Sequence, residues 1–162
     1  NVLEIGTFTG YSTLSIAAGL EDGACIDTVE VNDEMQEIYK DFFARSPHGD
    51  KIQPHIGSAL DVVPKLNKTF DLVFIDGGKK EYPEYFNMLM GNGVFPGNGQ
   101  LVRSGSYIIA DNILWYGKVA EETPKDVDTR AIVAFNRMVV EDNRVENLIL
   151  PFRDGLHLIR VS

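Results

Sequence analysis

Short apolar runs alternating with helical stripes constrain this chain more than any other feature of its sequence. The runs Val2–Gly6, Ala24–Val31, Ile52–Gly57, Phe70–Asp76 and Ser106–Asp111 have the length of strands rather than of buried helices. Between them lie helical patterns: about Gly10–Leu20, then Met35, Ile38, Tyr39, Phe42 and Phe43, a stripe that reads as core, then Ala59–Leu66. Tyr82, Tyr85, Phe86 and Leu89 mark a fourth helix, with Pro83 in its first turn, and Ala131, Phe135, Met138 and Val139 mark a fifth over Asp128–Asp142. Asp33 reads as the N-cap of the second helix, with Gln36 three residues on. Parallel strands need crossover connections, so this alternation predicts an α/β fold: a mostly parallel sheet covered by helices. The end differs in kind. Val145–Phe152 and Leu156–Val161 flank Arg153-Asp154-Gly155, a hairpin signal, so the sheet should finish antiparallel. Gly91–Gly105, rich in glycine, reads as a long loop.

With 162 residues and no linker or repeat, residues 1–162 form one domain. Apolar runs are too short to span a bilayer, and no signal-peptide pattern is present, so no membrane partner is expected. Cys25 cannot form an internal disulfide and reads as a thiol of a reducing, cytoplasmic compartment. The net charge of −9 disfavours a generic binder of nucleic-acid phosphates. The chain opens at Asn1 with no Met and enters a buried strand at once, so an N-terminal segment is expected to precede it.

The first strand runs into Glu4-Ile5-Gly6-Thr7-Phe8-Thr9-Gly10-Tyr11-Ser12, where glycines permit a tight turn and a close ligand approach to a helix N-terminus. Glu30 ends the second strand 20 residues after Gly10, the place from which a carboxylate accepts both hydroxyls of a ribose. A dinucleotide fingerprint would place glycine where Glu4 stands, and a carboxylate beside the loop repels a pyrophosphate. S-adenosylmethionine, with an adenosine and a cationic amino-acid part, suits E-x-G-x-x-x-G better than NAD.

Asp76 closes the fourth strand, and Asp111 and Asn112 close the fifth. With strand order 3-2-1-4-5 these ends flank the crevice beside the first strand, where ligands of open α/β sheets bind. Two carboxylates and an amide oxygen are hard ligands suited to Mg²⁺, Mn²⁺ or Ca²⁺, and they leave positions for two acceptor oxygens and a water. Lys79, three residues after Asp76, lies over the same crevice, and a nearby divalent cation disfavours its ammonium form, as a general base requires. Trp115 and Tyr116 either wall an acceptor pocket or serve as ordinary packing aromatics. His48, His55 and His157 show no ligand or triad spacing and read as structural.

Together LEIGTFTGYS, VEVND, GSALDVVPKL, FDLVFIDGGKK, ADNILWYGKV and DGLHLIRV resemble the cation-dependent O-methyltransferases of the catechol and caffeoyl-CoA type, over nearly the whole chain. The resemblance implies a Rossmann-like class I methyltransferase sheet. It implies that Glu4, Gly6, Phe8 and Ser12 surround the methionine part of S-adenosylmethionine, that Glu30 holds the ribose, and that Gly57, Ser58 and Ala59 lie beside the adenine. It further implies that Asp76, Asp111 and Asn112 bind the divalent cation, that Asp76 also touches the cofactor's amino group, and that Lys79 is the catalytic base. A small aromatic acceptor and a homodimer follow from the same resemblance. Many plant-like relatives carry a second acid where this chain has Gly78, so acceptor recognition is expected to differ, and the glycine-rich stretch is longer than the usual connection. Three rival readings stand beside this one: a methyltransferase of hydroxylated nucleosides in RNA, a nicotinamide-dependent oxidoreductase, and a cofactor-binding domain without activity.

Overall fold

The computed structural model describes residues 1–92 and 99–162. In chain order the elements are β1 (Val2–Ile5), α1 (Tyr11–Gly19), β2 (Ile26–Glu30), α2 (Gln36–Arg45), β3 (Ile52–Ile56), α3 (Ala59–Val62), β4 (Phe70–Ile75), α4 (Tyr82–Leu89), β5 (Val102–Asp111), α5 (Val127–Glu141), β6 (Val145–Leu150) and β7 (Leu156–Val161). The strands form one sheet in the order β3-β2-β1-β4-β5-β7-β6. β3, β2, β1, β4 and β5 are parallel, and β7 pairs antiparallel with both β5 and β6. The expected parallel order and closing hairpin are both present. No helix among the described residues is long and apolar enough to cross a membrane.

Side chains alternate along each strand, so each face of the sheet has its own core. On one face Leu3, Ile5, Val73, Ile75, Ile108 and Ile159 pack with Phe86, Leu89, Ile132, Phe135 and Val139 of α4 and α5. On the other, Val2, Ile26 and Ile52 pack with Ala17, Tyr39 and Phe43 of α1 and α2. Tyr82, Phe86 and His157 all present rings to Phe135 at near-perpendicular angles. His157 is buried as a structural residue between Asn136 (Nδ1–Oδ1 3.2 Å) and Asn147 (Nε2–Oδ1 3.1 Å), and burial pushes its pKa down to about 4.

Three local expectations need correction. Asn32, not Asp33, caps the second helical segment: its side chain accepts from Glu34 N at 3.0 Å, and a 3₁₀ turn over Asp33–Met35 precedes α2. Of the α2 stripe only Tyr39 and Phe43 are buried, whereas Ile38 and Phe42 are 42% and 44% exposed, because a helix lying on a sheet buries a narrower arc than five positions. Lastly, β5 starts at Val102, inside the stretch read as loop. Its register against β4 jumps from Phe70↔Val102 to Leu72↔Tyr107, and Ser106 fills the irregularity by donating to Phe70 O at 2.7 Å. Residues 93–98 of that stretch lie outside the described residues.

The turn of the closing hairpin also holds the segment that leaves β5. Ile113 N donates to Gly155 O (3.2 Å) and Leu114 N to Asp154 O (2.9 Å), while Tyr116 N reaches Asp154 Oδ1 at 2.6 Å. Gly155 has φ +83°, and a Cβ there would press on the Leu114 side chain.

Candidate functional site

The carboxyl ends of β1, β2, β4 and β5 open into one cavity of about 1000 Å³. Its walls include Gly6, Phe8, Ser12, Glu30, Gly57, Ser58, Ala59, Asp76, Lys79 and Asp111, so ten of the residues singled out by sequence meet there. Glu4 and Asn112 are not among the lining residues.

The loop after β1 owes its shape to its neighbours. Gly6 has φ +105°, and a Cβ at this position would run into the backbone of Asp76. Gly10 (φ +85°) has the Phe43 ring where a Cβ would go. Between them Phe8 adopts a left-handed φ of +47° and is largely exposed, with its N–H donating to Glu30 Oε2 at 2.7 Å. The other oxygen of Glu30 accepts from Asn32 N at 2.9 Å. Glu30 therefore ties the loop after β1 to the end of β2, and still lines the cavity with lone pairs to spare.

Glu4 lies beneath this loop and is fully buried. Its Oε2 accepts from the hydroxyls of Thr13 and Thr28 (2.6 Å for Thr28), and Thr7 shares a hydrogen bond with Thr28 at 2.6 Å. Oε1 has no partner among the described residues. Burial raises its carboxyl above the usual range, and hydrogen bonds from Ser12, Thr13 and Thr28 oppose that rise. Glu4 thus acts on the loop from below. Nothing in the sequence singles out Thr13 or Thr28, since hydroxyls inside apolar segments carry no periodic signal.

At the other end Asp76 and Asp111 share the cavity wall. Partial burial raises the Asp111 carboxyl, the nearby negative charge of Asp76 adds to this, and the backbone N–H of Asn112 (2.7 Å to Oδ1) opposes it. Asn112 turns the chain with φ +59°. Lys79 begins a 3₁₀ turn before α4, and its Nζ donates to Asp76 Oδ1 (2.8 Å) and to the Tyr82 hydroxyl (2.7 Å). Tyr82 is fully buried, its hydroxyl lies 3.2 Å from Ile75 O and 3.0 Å from Asp111 O, and burial holds its pKa well above that of a free phenol. In the sequence Tyr82 only marks the start of a helical stripe, which gives no sign of this hydroxyl's contacts. Trp115 packs on the core and Tyr116 projects into solvent, so neither lines the cavity. Tyr11, Lys80, Tyr85 and Asp128 do.

Asp76 and Asp111 bring two hard oxygen donors, with charges that repel one another, to one cavity wall, and donors of this kind suit a divalent cation. The donors present fit such an ion.

A family model described as O-methyltransferase matches residues 1–162. A caffeoyl-CoA O-methyltransferase of Petroselinum crispum is 34% identical over 99% of the chain and 68% of its own length. A catechol O-methyltransferase of Niastella koreensis is 30% identical over 93% of the chain and 66% of its own length, so the chain spans about two thirds of these curated relatives. Among solved structures, an O-methyltransferase from Bacillus cereus in complex with SAH superposes with a TM-score of 0.90 at 30% identity, over 100% of this chain and 74% of that one.

Proposed function

Because the chain belongs to the O-methyltransferase family, whose members include caffeoyl-CoA and catechol O-methyltransferases, we propose that it moves a methyl group from S-adenosylmethionine to one hydroxyl of a small catechol-like acceptor. One observation carries the reading. The residues suited to an adenosine-bearing cofactor and those suited to a cation and a proton acceptor line a single cavity.

In this reading Glu30 accepts the ribose hydroxyls with the lone pairs left by Phe8 N and Asn32 N. Gly57, Ser58 and Ala59 border the adenine, and Gly6, Phe8 and Ser12 enclose the methionine part, with Glu4 setting the loop from beneath. Asp76 and Asp111 would hold a divalent cation, Mg²⁺ or Mn²⁺, with the Asn112 amide as third donor. Bound there, the cation would supply Lewis acidity that favours the ionised form of an acceptor hydroxyl. Lys79 Nζ takes the acceptor proton, breaking the O–H bond and leaving the oxygen as nucleophile. Methyl transfer would form a carbon–oxygen bond as the carbon–sulfur bond of the sulfonium breaks and the neutral thioether leaves; opposite charges cancel in that step, so the protein's work is mainly alignment.

The test is transfer of a labelled methyl group to catechol, with and without Mg²⁺, by wild type and Lys79→Ala. The reading expects Lys79→Ala to lower kcat by about 10²–10⁴, with a smaller loss on the more acidic nitrocatechol. Equal losses on both acceptors would remove Lys79 as base. Absence of any transfer to catechols would move the acceptor to another class.

A further inference from the structure

The reading of Lys79 as base leaves the hydroxyl of Tyr82 without a task, although it sits where β4, β5 and Lys79 meet. That hydroxyl has one hydrogen and two lone pairs. Asp111 O (3.0 Å) and Ile75 O (3.2 Å) can only accept, so the phenolic hydrogen goes to one of them, and a lone pair receives Lys79 Nζ–H at 2.7 Å. Nζ has three tetrahedral positions for hydrogens or a lone pair. Asp76 Oδ1 takes one at 2.8 Å and Tyr82 takes the second. The third is what remains for the cavity that Lys79 lines.

We propose that Tyr82 is a positioning residue: its hydroxyl, locked by the strand-end carbonyls, holds Lys79 Nζ so that its one remaining tetrahedral position faces the acceptor hydroxyl. This rests on Lys79 being the base. When Nζ takes the proton, the O–H bond of the acceptor breaks, an N–H bond forms at the third position, and the contacts to Asp76 and Tyr82 persist. The Tyr82 ring lies 4.8 Å from Nζ and packs edge-on against Phe135 with centroids 5.4 Å apart. Tyr82→Phe keeps both ring contacts and removes only the hydroxyl, after which Nζ is held by Asp76 alone and pivots.

The experiment is a double-mutant cycle on methyl transfer to catechol, with cofactor affinity measured by calorimetry. Tyr82→Phe should lower kcat about 10–100-fold, the scale of a misplaced catalytic group, with cofactor affinity unchanged within about threefold. In the Lys79→Ala background the same change should add no further loss. A loss of equal size in both backgrounds would overturn the inference, since Tyr82 would then act on the strand ends and not through Lys79. No loss in the wild-type background would overturn it as well. If Lys79→Ala itself retains full kcat, the underlying reading falls first, and the two failures are thereby told apart. Should a thermal melt show Tyr82→Phe unfolded, 3-fluorotyrosine at position 82, a weaker acceptor of the same shape, takes its place. A graded loss only where Lys79 is present then supports the inference, and a background-independent loss, or none, overturns it.

Discussion

Glu30→Gln probes the link between the loop after β1 and cofactor binding. In the wild type each carboxylate oxygen accepts one backbone N–H, from Phe8 at 2.7 Å and Asn32 at 2.9 Å. Glutamine keeps the shape, but its amide nitrogen must face one of those N–H groups, so one donor loses its acceptor. A hydrogen bond to a charged group contributes about 1.5–3 kcal/mol, and the surviving bond weakens when the charge goes. The expected loss of folding stability is therefore about 2–3 kcal/mol, or a Tm lowered by about 4–12 °C for a domain of this size. Cofactor binding should weaken by a further 1–3 kcal/mol, roughly 5–150-fold in Kd, because the ribose acceptor and the loop anchor are the same side chain. Differential scanning calorimetry and isothermal titration with S-adenosylmethionine read the two effects separately. A lowered Tm with unchanged Kd would refute the reasoning by making Glu30 a loop anchor only.

Three further outcomes are expected. Excess chelator should abolish methyl transfer, Mg²⁺ or Mn²⁺ should restore it, and Asp111→Ala should not be rescued at ordinary metal concentrations; full turnover in chelator refutes the cation's role. His157 stays neutral when folded, with a pKa of about 4 against an unfolded value near 6.5, so its contribution is intact above the unfolded value and is lost as pH falls through this window. Urea melts should show about 2 kcal/mol lost through this group between pH 7 and pH 5, and His157→Gln should flatten that part of the profile. Gly10→Ala places a Cβ against the Phe43 ring at a left-handed φ of +85°, so thermal melts should show a loss of about 1–3 kcal/mol.

Where a residue's role is set by chain direction and strand ends, the sequence was informative. Asp76, Asp111 and Glu30 each follow a run of strand-forming residues, and once the parallel order is known their common location is a matter of topology. Asp154-Gly155 announced the hairpin because a left-handed glycine is a local requirement. What escaped were properties set across elements. Tyr82 looks like core because its ring is core, and only the approach of Ile75 O, Asp111 O and Lys79 gives its hydroxyl a task. Gly105 looks like loop because a bulged strand and a loop favour the same residue types, and the pairing of Phe70 with Val102 is not a local property. Ile38 and Phe42 satisfy helical periodicity, but the width of the buried arc depends on what α2 rests upon.

The bonds from the hairpin turn to the segment after β5 bear on how this site comes apart and how it can change. Asp111 pairs with Leu156, and Ile113, Leu114 and Tyr116 all donate to Asp154 or Gly155. The turn and the Asn112–Tyr116 segment consequently open as one unit in any partial unfolding, although more than 35 residues separate them along the chain. A change in the turn, remote from the cavity, alters the mobility of the backbone beside Asp111. Insertions in either segment then carry a cost for the other, and variation in the two is expected to be inherited together.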